Sequence, residues 1–375
     1  MHVNPDAANH IEFLRSLPQP DPTPDRATYD AERERCLAAD PARRANYERY
    51  LAAKNRSDTP DYLPIKLDIE PVSRCNLRCT MCQVSDWKKG KRARDMTVEE
   101  FKQLIDEQHG LTEIKAQGMG EALMNAAPFF EMIRYARERH IWVRLATNAS
   151  LLHLKNNYKQ LIDTDVNEVQ ISIDGATEDV FTHIRRGAVF DRILDNCKKI
   201  NRYCAERGST RTKMWTVVQE ANVHQLMDLV ELAHRLGFTS QVFSLNLSDF
   251  GQVSWRERNE AVTVENRFDS RMAHALMERG RELGVTVTFW CVTSKYSTRS
   301  QETLCPWPFE RAYISSDMRT VPCCMIANPD VFEISPGQGF STAWSGAEYA
   351  QFRRDHLEGR IPPVCRSCYE SKEVK

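Results

Sequence analysis

The sequence predicts an α/β protein whose central part is a partial, open (β/α)6 barrel. Strand-like and helix-like segments alternate from Ile65 to Trp290, a pattern typical of a parallel sheet with helices outside it. They form six strand–helix units, which is too few for a complete eight-stranded barrel. A helical arm precedes this region and a cysteine-rich segment follows it. The alternation by itself also allows a doubly wound open sheet.

These three parts have the predicted bounds 1–62, 63–292 and 293–375. In the first part a short helix is predicted from His10 to Leu17, where a proline-rich stretch ends it, and a charged helical stretch follows from Ala27 to Asn55. We interpret this part as an arm or cap packed on the main domain. The third part is short and dense in cysteine, as expected of a small domain stabilised by a metal or cluster.

The strands of the central part are predicted from short apolar or alternating runs: Ile65–Ile69, Leu111–Gln117, Ile141–Thr147, Asn167–Ile173, Thr212–Val218, Gln241–Leu247 and Val285–Trp290. The first helix is predicted to begin at Thr97, which forms a capping box with Glu100. The other helices are predicted at Pro128–Arg139, Leu152–Ile162, Phe190–Glu206, from the N-cap Asn222 to Gly237, and at Glu265–Leu283.

Composition narrows the class of protein. The 375 residues are 41% hydrophobic and 27% charged, which excludes a disordered chain, and 51 Lys and Arg balance 52 Asp and Glu. The near-zero net charge gives no overall positive electrostatic field that would attract nucleic acid. No apolar run approaches the ~20 residues that a membrane span needs, and no signal peptide is recognisable. We therefore expect a cytoplasmic protein without a nucleic-acid or membrane partner. In that compartment twelve cysteines indicate metal or redox chemistry.

Three of these cysteines, Cys75, Cys79 and Cys82, follow the first strand within eight residues. Thiolates this close together bind Zn²⁺ or an iron–sulfur cluster. Three protein ligands leave one metal position open for a substrate or cofactor, whereas a structural zinc site would need a distant fourth ligand. The spacing alone does not distinguish a cluster with an open metal position from a structural zinc site.

The Cys-x3-Cys-x2-Cys spacing after the first barrel strand resembles the radical SAM superfamily. The resemblance implies that these cysteines hold a [4Fe–4S] cluster whose open iron binds S-adenosylmethionine (SAM), and that SAM is cleaved to a 5′-deoxyadenosyl radical. It also implies an electron donor such as flavodoxin or ferredoxin. This sequence has Met81 where the family usually has an aromatic residue, so the packing of adenine is expected to differ in detail.

Further motifs at the ends of predicted strands resemble the SAM-binding positions of the family. By resemblance, the Gly118-Met-Gly120-Glu121 stretch receives the SAM amino group, and an arginine, Arg185 in preference to Arg186, pairs with the SAM carboxylate. Four more residues match positions that contact ribose or line the pocket: Thr147, Asn148, Ser172 and Asp174. Each motif alone is also compatible with an ordinary turn, strand end or surface arginine pair.

A second group of cysteines lies near the C-terminus. Cys365-x2-Cys368 offers two ligands from one turn, and Cys305 and Cys323 complete a set of four. The residues themselves fit zinc or iron–sulfur equally well. The arrangement resembles the SPASM/twitch domains of radical SAM enzymes, among them the aminocyclitol dehydrogenases, and it implies one auxiliary [4Fe–4S] cluster with no open iron.

The choice between Cys323 and Cys324 as the ligand rests on spacing, which favours Cys323. The SPASM pattern places a glycine five residues before this cysteine. Here that residue is Met318, so we expect a differently built turn.

Cys291 is the one other cysteine with a candidate catalytic role. It ends the last predicted barrel strand, where it could face the active site and return a hydrogen atom to a substrate radical; a plain core position is the alternative. Cys197 and Cys204 share an apolar helix face, and they and Cys36 are expected to be structural.

These observations predict a radical SAM enzyme with a partial (β/α)6 barrel, a helical N-terminal arm and a small twitch-like domain. Our first hypothesis is two-electron oxidation of a small polar metabolite such as a sugar or aminocyclitol, with the auxiliary cluster as electron acceptor. An epimerase that uses Cys291 and a SPASM-type peptide maturase are alternatives. A zinc-stabilised binding protein without SAM chemistry is a more distant one.

Overall fold

The computed structural model describes residues 5–53, 55–292 and 295–369. Its strands, numbered in chain order, are β1 Lys66–Ile69, β2 Arg78–Cys79, β3 Glu113–Ala116, β4 Trp142–Thr147, β5 Glu168–Ser172, β6 Arg185–Arg186, β7 Thr212–Val217, β8 Ser240–Ser244, β9 Thr286–Trp290, β10 Arg311–Ile314 and β11 Thr320–Val321.

The α-helices, also numbered in chain order, are α1 Pro5–Ser16, α2 Arg26–Ala38, α3 Pro41–Ala52, α4 Val98–Glu107, α5 Ala126–Arg137, α6 Asn157–Ile162, α7 Glu178–Ile184, α8 Phe190–Glu206, α9 Leu226–Arg235, α10 Val253–Glu260, α11 Ser270–Leu283, α12 Trp307–Glu310, α13 Phe340–Ser345 and α14 Ala347–Leu357.

Nine strands form one sheet in the order β11-β10-β1-β3-β4-β5-β7-β8-β9. Every neighbouring pair is parallel except the β10–β11 pair. Among the described residues β9 and β11 are the two edges, so the sheet is open and does not close into a barrel. The short strands β2 and β6 form a separate two-stranded sheet. The predicted α/β fold with a partial barrel is confirmed.

The seven predicted strands correspond to β1, β3, β4, β5, β7, β8 and β9, each within a few residues of the predicted bounds. The Thr97–Glu100 capping box is present at α4. The prediction that the Asn222 side chain caps the following helix is wrong, because Asn222 Oδ1 accepts instead from the Gln219 amide at 2.9 Å. Its Nδ2 donates to the carbonyl oxygens of Asp174 and Val217, each at 2.9 Å. Two carbonyls at the ends of neighbouring strands are satisfied in this way.

The helix expected at Glu265–Leu283 also differs from its prediction. Glu265–Arg267 is a separate 3₁₀ turn, and α11 begins at Ser270 with the Asp269 side chain accepting a hydrogen bond from the Met272 amide. An N-cap carboxylate satisfies a free amide of the first turn, which sets the start of the helix at Asp269.

The N-terminal arm covers the end of the sheet where the strands begin. Tyr29 donates to Glu113 at the start of β3 (2.7 Å), and the Thr23 amide donates to Glu168 at the start of β5 (2.9 Å). Lys213 in β7 donates to the Asp21 carbonyl. Because the arm occupies this end, the opposite end, where the strands finish, is left for a functional site, as is usual in (β/α) barrels.

The C-terminal part is joined to the barrel through the sheet. β10 pairs in parallel register with β1, from Lys66 opposite Arg311 to Ile69 opposite Ile314. The predicted domain bounds remain a prediction, and the boundary at 292/293 lies beside residues 293–294, which are outside the described residues. The continuous sheet nevertheless fixes the second cysteine group relative to the first.

Candidate active site and cluster sites

The loop that carries Cys75, Cys79 and Cys82 follows β1 and is held by backbone hydrogen bonds. The Cys75 amide donates to the Gly90 carbonyl at 3.1 Å, and the Cys82 amide donates to the Cys79 carbonyl at 3.2 Å. Cys79 lies in β2, opposite Arg185 of β6. The structure therefore brings the three predicted cluster cysteines to the carboxyl end of the sheet.

The glycine stretch packs directly on this loop. The Glu121 amide donates to the Arg74 carbonyl at 2.9 Å. A Cβ on Gly120 would lie 2.1 Å from the Val72 carbonyl oxygen, and one on Gly118 would lie 2.2 Å from Glu70 Cγ. Both glycines are thus required by close contact with the segment before Cys75, which is a structural reason in addition to the SAM-binding role implied by the resemblance.

The Glu121 carboxylate connects two further predicted residues. It accepts hydrogen bonds from Thr147 Oγ1 at 2.7 Å and from the Asn148 amide at 2.8 Å. Asn148 Nδ2 in turn lies 3.8 Å from Cys75 Sγ. Burial raises the pKa of Glu121, and these donors act in the opposite direction. Glu121, Thr147, Asn148 and Cys75 therefore form one contiguous group.

A second group contains Asp174, Arg185 and Cys79. The Arg185 guanidinium forms an ion pair with Asp174 at 2.7 Å, and its Nη1 lies 3.9 Å from Cys79 Sγ. Asp174 and Arg185 are both buried, which suits a guanidinium held in place for an anionic ligand. Ser172 ends β5 beside this group, opposite Trp215 of β7.

Sequence reasoning did not find Glu70, which lies at the centre of the contacts between the barrel and the C-terminal part. Its fully buried carboxylate accepts from the Met119 amide at 2.9 Å and from the Ser316 amide at 3.2 Å, and it lies 3.4 Å from Arg92 Nη2. Arg92 also pairs with Asp317 at 2.6 Å. Only its position directly after a predicted strand could have singled out Glu70 in the sequence.

Gln83 is a second residue that connects the barrel with the C-terminal part. It follows Cys82 and accepts a hydrogen bond from Asn328 Nδ2 at 2.9 Å, while its own Nε2 lies 3.4 Å from the Ile326 carbonyl. Because Ile326 and Asn328 follow the cysteines at 323 and 324, this residue links the two cysteine groups.

The second group of cysteines is brought together from three separate segments. Cys305, Cys365 and Cys368 pack on one small cluster of buried residues, Leu304, Ile361 and Tyr369, and the Tyr369 hydroxyl accepts from the Cys305 amide at 2.9 Å. Burial and the neighbouring cysteines, among them Cys305, raise the pKa of Cys323 far above that of a free thiol. The four predicted ligands are therefore close enough to act on one another electrostatically.

Cys324 has a different environment from Cys323. The charges that act most strongly on its thiol are Asp68, Lys115, Arg311 and Arg144 of the sheet. The pKa of Cys323 is raised by burial and then, among the cysteines, by Cys324 first and by Cys365, Cys368 and Cys305 after it. The assignment of Cys323 rather than Cys324 as the ligand remains a prediction.

The turn between β10 and β11 corrects one expectation. Met318 itself adopts the left-handed conformation, with φ +67°, so the turn keeps the backbone shape that a glycine at this position would serve. The expected different turn is not present. The Met318 amide closes the turn on the Ser315 carbonyl at 2.9 Å.

Cys291 lies just after β9 with its Sγ 3.2 Å from Glu265 Oε1. Glu265 lines a cleft of about 610 Å³ between the ends of β8 and β9 and the last cysteine loop. Arg366, Cys368 and Tyr369 of the last cysteine loop line the same cleft. Cys197, Cys204 and Cys36 are buried in the core, as expected of structural cysteines.

The residues present fit iron–sulfur clusters and SAM. Burial, with Cys79 and Cys75 adding to it, raises the pKa of the Cys82 thiol to about 12, so thiolate formation requires a bound metal. No three His, Cys, Asp or Glu side chains of the described residues lie close enough to share a single metal ion. A cluster instead binds each thiolate through a different iron. The buried Arg185 and Glu121 offer the charges that a zwitterionic ligand needs.

Comparison with known proteins agrees with this geometry. The radical SAM superfamily domain matches residues 69–233, and the iron–sulfur cluster-binding SPASM domain matches residues 305–369. The mycofactocin maturase of Mycolicibacterium smegmatis is 32% identical over 196 residues, which cover 51% of this chain and 47% of that protein. This chain therefore aligns with about half the length of that relative.

Two further relatives cover more of the chain. The PqqA peptide cyclase of Rhodopseudomonas palustris is 22% identical over 317 residues, covering 82% of this chain and 79% of that protein. The structure of Streptococcus suis SuiB bound to precursor peptide SuiA has a TM-score of 0.61 at 15% identity, covering 82% of this chain and 69% of that one. The latter similarity concerns the fold alone.

The fold and the matched domains define a radical SAM protein with a C-terminal iron–sulfur domain. This chain belongs to the radical SAM superfamily, and its C-terminal domain is of the SPASM type. Its cofactors are SAM, a [4Fe–4S] cluster and auxiliary iron–sulfur binding in the SPASM domain. Among the described residues no helix is long and apolar enough to cross a membrane. The roles of individual site residues remain predictions.

Proposed function

We propose that this radical SAM enzyme oxidatively modifies a peptide substrate. The relatives include a peptide cyclase aligned over 82% of the chain, which favours the maturase alternative over our first hypothesis of a small sugar or aminocyclitol. The structural observation that carries the proposal is the 610 Å³ cleft, because it is open, large enough for several side chains and lined by polar groups.

The cleft lies on the side where the strands finish. Asn246 and Leu247, after β8, and Val292, after β9, line it together with Cys368 of the SPASM domain. An extended peptide lying in the cleft would therefore approach the second cysteine group at Cys368. SAM bound beside Cys75, Cys79 and Cys82 supplies a radical that takes a hydrogen atom, and an auxiliary cluster supplies an electron acceptor.

The chain's own residues then have three tasks. Arg185 and Glu121 orient SAM through charge. Polar side chains of the cleft, such as Thr263 and Arg366, bind the peptide backbone. Glu265 is our candidate for the base that takes the proton when the substrate loses its second electron, because it is the glutamate that both lines the cleft and contacts Cys291 after β9.

The contact between Cys291 and Glu265 favours a second candidate, epimerisation. In that reaction the Cys291 S–H bond breaks and its hydrogen atom passes to the substrate radical, and the resulting thiyl radical is restored by one electron from the external reductase and one proton. In D₂O the product would gain one deuterium per turnover. Cys291→Ala should abolish that incorporation if the candidate is correct and leave oxidised product unchanged if it is not.

The test of the main proposal compares substrate classes and blocks the cleft. Peptides encoded beside the gene and a panel of sugar nucleotides and aminocyclitols are incubated with anaerobically reconstituted protein, and 5′-deoxyadenosine is measured. Peptides should stimulate its formation. Glu260→Trp, which fills the cleft from α10, should raise the peptide KM, whereas the exposed Glu257→Trp on the same helix should not. Stimulation by the small metabolites alone would refute the proposal.

A further inference from the structure

A strongly basic segment, Lys88 to Arg94, lies against the loop of the first cysteine group. We name it the basic loop. The Cys75 amide donates to the Gly90 carbonyl at 3.1 Å, and the Arg92 amide donates to the Ser73 carbonyl at 3.3 Å. Lys91 forms an antiparallel bridge with Arg74. The basic loop is thus paired by its backbone with the residues that lead into Cys75.

Side chains fix this arrangement. Arg78 Nη1 donates to the Cys75 carbonyl at 2.8 Å, and a Cβ on Gly90 would lie 2.1 Å from the Arg78 guanidinium. Gly90 also has a φ of +62°, a conformation that glycine adopts at low cost. The basic loop therefore keeps one position relative to Cys75.

The charges of the basic loop divide into two sets. Arg92 is neutralised by Asp317 and Glu70, and Arg94 by Glu100. The other three cations, Lys88, Lys89 and Lys91, are exposed, and none has an ion-pair partner among the described residues. The chain as a whole has a net charge of −1, so this positive patch is local.

We propose that Lys88, Lys89 and Lys91 form the docking surface for a small acidic one-electron donor protein of the flavodoxin type. Three exposed lysines without acidic partners attract a partner of opposite charge and raise its association rate. The backbone pairing at Gly90 places the docked donor next to a cysteine that we assign to the cluster. In the transfer the donor loses one electron and the cluster gains it. This inference does not depend on the substrate being a peptide.

The experiment uses anaerobically reconstituted holoenzyme and recombinant flavodoxin as the probe. The variant Lys88→Glu/Lys89→Glu/Lys91→Glu is compared with wild type in flavodoxin binding at low and moderate salt, and in 5′-deoxyadenosine formation driven by flavodoxin or by dithionite. We expect flavodoxin affinity to fall at least about tenfold, its salt dependence to flatten and the flavodoxin-driven rate to fall with it. The dithionite-driven rate and the iron content should stay within about twofold, since dithionite needs no docking surface.

A matched control reverses three exposed cations on α8, Arg192→Glu/Lys198→Glu/Arg202→Glu, which lie on the outside of the barrel. It should bind flavodoxin as wild type does. A neutral variant with glutamine at Lys88, Lys89 and Lys91 should lose an intermediate amount of flavodoxin affinity. It also shows whether the loss in the charge-reversal variant comes from charge and not from misfolding. Unchanged flavodoxin affinity, or an equal loss in the control, would overturn the proposal. The dithionite arm separates its failure from a failure of the radical SAM site.

Discussion

Replacing Glu70 by glutamine tests how the barrel, the SAM-binding glycine stretch and the SPASM domain are connected. Glu70 is fully buried and accepts from the amides of Met119 and Ser316, with Arg92 Nη2 at 3.4 Å. Met119 lies between the two glycines predicted to receive SAM, and Ser316 lies in the β10–β11 turn. One carboxylate therefore holds three segments together.

The structure gives the magnitude of the effect. Glutamine keeps one acceptor oxygen, so in either orientation its NH₂ group faces at least one backbone N–H that it cannot satisfy. An unsatisfied buried donor costs about 1–3 kcal/mol, and the bond to the charged Arg92 is weakened as well. We expect Glu70→Gln to lower the free energy of unfolding by about 2–4 kcal/mol. SAM affinity should fall about tenfold, equivalent to about 1.4 kcal/mol, as the Met119 backbone loses its acceptor.

Urea denaturation gives the first quantity and calorimetric titration with SAM gives the second. Glu138→Gln is the matched control, because Glu138 is exposed and its side chain makes no hydrogen bond among the described contacts. The control should match wild type in both. If Glu70→Gln unfolded and bound SAM as wild type does, the connecting role of this carboxylate would be refuted.

Two further predictions concern the SPASM domain. Cys323→Ser should lower the iron content from roughly eight to roughly four per chain, whereas Cys324→Ser should retain it; the reverse result would reassign the ligand. His356 is buried with its pKa lowered to about 4, so the unfolded chain takes up a proton below pH 6.5 that the folded chain does not. Stability is therefore retained above pH 6.5 and lost as pH falls, by about 1.4 kcal/mol between pH 7.5 and 5.5. In His356→Gln this contribution should vanish, and an unchanged pH dependence in urea denaturation would contradict the assignment.

Much of the site was predictable because its signals are local. Cys75, Cys79 and Cys82 lie in one short loop. Glu121, Thr147 and Asn148 are polar residues at the ends of predicted strands, which made them candidate site residues. The structure joins them by hydrogen bonds. From the sequence, a peptide substrate is only an alternative to the small-metabolite hypothesis. The spacing of cysteines indicates which cofactors are bound and carries no information about the substrate that fills the cleft.

The sequence by itself determined the alternation of strands and helices, the α4 capping box and the close spacing of Cys75, Cys79 and Cys82, since each depends on residues close together in the chain. Only the tertiary structure decided that β10 pairs with β1, that the arm covers the start of β3 and β5, and that Glu70 meets Ser316 across 246 residues of chain. The reason is physical. A capping box or a turn is selected by its own few residues, whereas strand partners and buried carboxylate contacts are selected by the packing of the whole molecule.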